Sequence, residues 1–77
     1  MFPYAYADMR MAEIFGENVR RVRLERGMTL ETLATEACLA YSYMGGIERG
    51  QKNPTLDVVE RIAGVLETDA ISLLKQR

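Results

Sequence analysis

The sequence predicts an all-α domain of five short helices around one core. Three observations predict it. Apolar residues recur at spacings of three and four along most of the chain, capping residues and glycines punctuate those runs, and no stretch alternates as a strand would. With 77 residues, 48% of them apolar and 27% charged, the composition is that of one folded domain. A chain this small buries roughly 60% of its unfolded surface, so association with a second copy would supplement the core.

Residues 1–7 (MFPYAYA) contain Pro3 and lack a helical period. They read as an N-terminal arm, in the first place a frayed end and in the alternative one whose Phe2, Tyr4 and Tyr6 would pack on a neighbouring subunit, leaving residues 8–77 as the single domain. Asp8 would cap a first helix from about Met9 to Arg26, with Gly27 as its stop. Met11, Ile14, Phe15, Val19 and Val22 make its core-facing stripe. Gly16 inside it costs up to about 1 kcal/mol relative to alanine, which predicts that another helix passes close by. Arg20, Arg21 and Arg26 read as a solvated face, whereas Arg23 lies beside the apolar stripe and is placed to turn inward.

A pair of helices follows. Thr29 would cap the first, from about Leu30 to Glu36, whose stripe is Leu30, Leu33, Ala34 and Ala37. Cys38, Leu39 and Ala40 interrupt the pattern for the length of a helix-turn-helix corner. The second helix, about 40–49, would face Met44 and Ile47 inward and end at Gly50. Gln51 to Pro54 form a polar loop, with Pro54 biasing Asn53 away from helix. Thr55 would cap a fourth helix with the stripe Leu56, Val59, Ile62, Ala63 and Leu66. A break at Glu67 and Thr68 lacks the usual glycine, and Asp69 would cap a short last helix carrying Ile71, Leu73 and Leu74.

Several function classes have no support in the residues. There is no histidine, no cysteine pair and no phosphate-cradling glycine loop, so neither an enzyme, a cofactor nor a metal site is expected. The longest uncharged run, Ala37 to Ile47, is too short and too polar for a bilayer. Residues 1–7 do not have the basic start or apolar length of a secretory signal. The lone Cys38 reads as a small corner residue, and a reducing cytoplasm is the expected compartment. Net charge is −1, so any polyanionic partner must be met by local cations. Arg49 and Lys52, on either side of Gly50, are such cations.

The stretch from Phe15 to Leu74 resembles the Cro/C1-type (XRE, lambda-repressor-like) helix-turn-helix transcription regulators. The resemblance is carried by Val19-Arg20-Arg21-Val22-Arg23, Gly27-Met28-Thr29-Leu30-Glu31-Thr32-Leu33-Ala34 and Ser42-Tyr43-Met44. It continues through Ile47-Glu48-Arg49-Gly50, Asn53-Pro54-Thr55-Leu56 and Ile62-Ala63-Gly64-Val65-Leu66. It implies the five-helix lambda-repressor-like fold and sequence-specific binding of a double-stranded DNA operator, with the helix at about 40–49 in the major groove. Base-reading places then fall on Tyr41, Ser42 and Gly46, and phosphate-contacting places on Thr29, Tyr43, Arg49, Lys52 and Asn53. Arg23 and Glu48 match a structural ion pair tying the first helix to the recognition helix.

The resemblance departs from pattern at Leu30, where the family often has glutamine, and at Gly46, which has no side chain to offer a base. Gly45 and Gly46 together cost up to about 2 kcal/mol in a helix. Either tight packing or close approach to DNA would account for them, and part of the readout would then be indirect. Family members commonly pair on half-sites, so a homodimer is expected, with Leu66, Ile71 and Leu74 as contacts. No small-molecule ligand or membrane is expected. The size resembles that of the small controller proteins of restriction–modification systems, and a phage-type repressor would look much the same. The alternative is a helical protein–protein interaction module, such as an antitoxin, without direct use of DNA.

Overall fold

The computed structural model describes the backbone of residues 4–77 and the side chains of residues 10–77. Among these residues the order is α1 (Tyr4–Glu25), α2 (Leu30–Glu36), α3 (Tyr41–Glu48), α4 (Leu56–Val65) and α5 (Ala70–Leu73), without a strand. The all-α reading and the bounds of α2 to α5 match the sequence expectation to within a residue or two.

The start of α1 does not. The helix begins at Tyr4, not at Met9, so residues 4–7 are not an extended arm and Asp8 lies inside the helix rather than capping it. The reason is that extending an existing helix fixes one residue per added hydrogen bond, which requires no apolar stripe. A proline just ahead of a helix does no harm either, because first-turn N–H groups have no intrahelical partner. Residues 1–3, and the expected contacts of Phe2, Tyr4 and Tyr6, lie outside what is described.

The N-termini of α2, α4 and α5 are capped as expected. Thr29 Oγ1 accepts from Thr32 N at 3.0 Å, Thr55 Oγ1 from Val58 N at 3.2 Å, and Asp69 Oδ1 from Ser72 N at 2.8 Å. The Ser72 N–H and hydroxyl hold the Asp69 carboxyl below its ordinary range.

Four helices end in one and the same way. After α1, Gly27 N bonds Leu24 O and Met28 N bonds Arg23 O, with Gly27 at φ +66°. The pattern recurs after α2 at Cys38 (φ +58°), after α3 at Gly50 (φ +74°) and after α4 at Glu67 (φ +57°). These are Schellman motifs, and two of them place a residue with a side chain where glycine is favoured. The break without a glycine at Glu67 is therefore the same turn built at higher strain. Arg26 stabilises that strand-free corner, its Nη1 and Nη2 each reaching Glu67 at 3.2 Å.

The largest side chains of the core are Phe15 and Val19 of α1, Leu33 of α2, Met44 and Ile47 of α3, Ile62 and Leu66 at α4, and Leu73 of α5. Two predicted stripe residues are exposed instead. Met11 is 41% exposed, and Leu56, the first residue of α4, is 77% exposed. Asn18 takes an inner place instead. It is buried, and its Nδ2 donates to Leu73 O and Lys75 O, each at 2.8 Å, which docks the C-terminal turn on α1. Arg61 Nη1 donates to Ala37 O at 3.2 Å and ties α4 to the end of α2.

Candidate nucleic-acid interface

Helix α3 packs against both α1 and α2. Its inner residues Met44 and Ile47 are fully or almost fully buried. Gly16 of α1 permits the approach: a Cβ there would run into the Ile47 carbonyl oxygen and lie 2.9 Å from that of Glu48. The close helix predicted from Gly16 is thus α3 itself. One step further along, Arg23 Nε donates to Glu48 Oε2 at 2.6 Å and Nη2 to Oε1 at 3.0 Å, a two-pronged pair with both side chains nearly buried. Arg23 Nη1 also donates to Met28 O at 2.9 Å. The hydrogen bonds donated to Glu48 raise the Arg23 pKa further above its ordinary value, against the opposing effect of burial. Arg23 and Glu48 are therefore joined as the resemblance implied, and they tie α1 to the last residue of α3.

The opposite side of α3 is open. Tyr41 is 60% exposed, and Ser42 is exposed beside it. Ser42, Gly45, Gly46 and Arg49 follow at spacings of three and four, so they share one helical face. Tyr43 is half-buried and packs against the core, while Arg49, Lys52 and Asn53 are exposed. Thr29 is exposed as well, but its hydroxyl is engaged both ways, accepting from Thr32 N and donating to Thr32 Oγ1 at 2.9 Å.

Gly45 and Gly46 are both buried, which the sequence did not reveal. Gly45 lies against α2: a Cβ there would be 3.6 Å from Leu30 Cδ2 and 3.1 Å from Arg49 Nη1. The nearest atoms to a Cβ on Gly46 would be the stem of Lys52, at 3.0 Å from both Cγ and Cε. Gly46 is therefore not a bare patch of backbone but is roofed by Lys52. At both positions the nearest neighbour is a flexible basic side chain, Arg49 at Gly45 and Lys52 at Gly46.

The cations also sort themselves. Arg21 pairs with Glu25 at 3.6 Å, Arg23 with Glu48 and Arg26 with Glu67. Among the described residues no ion pair engages Arg49 or Lys52; Arg49 Nε donates only to Gln51 Oε1 at 3.1 Å. The arginine cluster in α1 is thus largely spent on carboxylates, and two unneutralised cations stand at the end of α3. No group of side chains suited to a metal occurs among the described residues, and none of the described helices is long and apolar enough to cross a membrane.

Comparison with known proteins places this arrangement. The helix-turn-helix family matches residues 19–73, which include α2, α3 and their corner. The chain belongs to the helix-turn-helix family. Among curated relatives, the control protein C.BamHI of Bacillus amyloliquefaciens is 40% identical over 62 residues, 79% of this chain and 76% of the relative. The transcriptional regulator SinR of Bacillus subtilis is 34% identical over 65 residues, which are 83% of this chain but 59% of SinR. The helix-turn-helix domain thus spans well under two thirds of SinR. Among solved structures, the restriction-modification controller protein C.AhdI of Aeromonas hydrophila superposes with a TM-score of 0.78 at 37% identity, covering 80% of this chain and 94% of that one. SinR in complex with DNA gives a TM-score of 0.75 at 34% identity, covering 79% of this chain and 98% of that one.

Asn18 and Arg61 were not singled out in the sequence, although each positions the site's scaffold. A signal existed for Asn18: it follows Phe15 by three residues and precedes Val22 by four, a polar residue on the inner stripe. For Arg61, which reaches a helix end distant in sequence, there was none.

Proposed function

We propose that this helix-turn-helix domain is a sequence-specific double-stranded DNA-binding transcriptional regulator that presents α3 to the major groove. The observation that carries the reading is the contrast between the two sides of α3. The inner side is locked by Gly16, Ile47 and the Arg23–Glu48 pair. The outer side shows Tyr41 and Ser42 beside two unpaired cations. Tyr41 and Ser42 carry side chains to base edges, while Arg49, Asn53 and the half-buried Tyr43 contact the sugar-phosphate backbone. Thr29 contributes through its place at the start of α2, since its hydroxyl already serves the cap. The likeness to SinR and to two restriction-modification control proteins supports the reading and makes a controller of such a system the favoured role, acting in the cytoplasm.

One α3 reads only a few base pairs, so the operator is bound by a homodimer. Leu66 is fully buried and cannot touch a second copy, which corrects the expected contact set. Ile71 at 64% exposure and half-buried Leu74 remain. Leu74 borders an open apolar groove together with Met11 and Leu56, an apolar surface on the same side as the proposed contact with a second copy. Ile71→Glu then yields a monomer by sedimentation, and an unchanged dimer rules the contact out.

Gel shift on duplex DNA tests the main reading. Binding is expected at low salt, weakening as salt rises with a slope of about 0.9 per phosphate neutralised. No binding up to tens of micromolar protein would instead favour an interaction module that does not use DNA.

A further inference from the structure

The double glycine of α3 is the one motif that the proposed function leaves unused, and the structure gives Gly46 a specific neighbour. We propose that Lys52 reads guanine in the major groove from the base-facing place at position 46, and that Gly46 is vacant so that the Lys52 stem has a seat there. The inference rests on the DNA-binding reading above.

Four observations lead to it. A Cβ at position 46 would touch Lys52 Cγ and Cε at 3.0 Å and Cδ at 3.5 Å, so the stem lies along this face of the helix rather than out in solvent. Gly46 has a φ outside the positive region, so its backbone does not call for glycine. No carboxylate among the described residues neutralises Lys52. Finally, Gly46 shares its face with Ser42, one turn earlier, and Arg49, one turn later.

The physics of the arrangement is simple. A side chain at position 46 would project directly from the helix, but here the projection comes from the loop after Gly50. Seating the stem against the helix removes part of the rotamer freedom that a solvated lysine keeps. It also delivers a strongly charged donor to a helix that has no basic residue of its own. The major-groove acceptors suited to a lysine are guanine O6 and N7. A phosphate oxygen offers the same acceptor chemistry, and the two targets differ in whether sequence matters.

Binding-site selection on a randomised duplex separates them, using the full chain as wild type, Lys52→Ala, Lys52→Met, Gly46→Ala and the Gly46→Ala/Lys52→Ala double variant. Circular dichroism checks that each variant is folded. The wild type is expected to select guanine at one position of each half-site. Lys52→Ala and Lys52→Met lose that preference by about tenfold and keep the others. Gly46→Ala unseats the stem and weakens the same position, and the double variant loses no more than Lys52→Ala alone. A uniform loss of affinity with an unchanged profile for Lys52→Ala makes Lys52 a phosphate contact and overturns the inference. An unchanged profile for Gly46→Ala overturns the seat. Failure of the wild type to enrich any sequence overturns both this inference and the DNA-binding reading, whereas enrichment that ignores Lys52 overturns the inference alone.

Discussion

The two sides of α3 are held in opposite ways. Toward α1, the contacts are stiff: backbone carbonyls of Ile47 and Glu48 press on Gly16, and Glu48 is gripped by Arg23. On the outer side, Gly46 is covered by the stem of an exposed lysine. Two glycines in helices, indistinguishable by propensity, thus serve different ends. One lets a second backbone come close, and the other makes room for a movable side chain. The difference teaches that a glycine's meaning lies in what a Cβ would strike.

The strongest way to break this comparison is at the ion pair. Glu48→Ala leaves Arg23 buried without its carboxylate and is expected to destabilise the domain by about 3–5 kcal/mol, read by denaturant unfolding. A variant as stable as the wild type would show that the inner side is not what holds α3.

Next come the glycines themselves. Gly16→Ala forces backbone apart and is expected to lose about 1–3 kcal/mol, the usual range for overpacking. Gly46→Ala displaces only a lysine stem while removing a weak helix former, so it gains up to about 1 kcal/mol. The same substitution therefore has opposite signs on the two sides of one helix. Equal signs in thermal melts would dissolve the distinction.

A smaller effect sharpens the picture at the corner that aims α3. Cys38 sits at φ +58°, a conformation costing a residue with a side chain roughly 1–2 kcal/mol. Cys38→Gly relieves that strain but frees the unfolded chain, for a net gain of up to about 1 kcal/mol. Gly50, which ends α3 in the same motif, has no such strain to relieve, and alanine there would also press on Glu13, whose Cα would lie 3.1 Å from the new Cβ. A melting temperature for Cys38→Gly below that of the wild type would count against the strain.

Much of this was legible in the chain. Thr29, Thr55 and Asp69 announce helix starts because their side-chain oxygens serve a local N–H, and Gly27 and Gly50 announce stops for an equally local reason. Arg23 and Glu48 were legible only through family resemblance, since 25 residues separate them. Cys38 and Glu67 hid their role, because the left-handed turn they make is one their residue types seldom adopt. Leu56 and Leu66 show the limit of periodicity: both fit the α4 stripe, yet one is 77% exposed and the other fully buried. A stripe gives direction around a helix, not which end of it meets a neighbour.

By itself the sequence determined the five-helix order, the caps of α2, α4 and α5 and most of the apolar faces, because these depend on interactions within a few residues. The tertiary structure decided the burial of Leu66 and of both glycines in α3, and the sorting of cations into paired and unpaired. Those depend on which atoms from distant segments arrive within a few ångströms. That is why the seat of Lys52 on Gly46 could not be read from the double glycine alone.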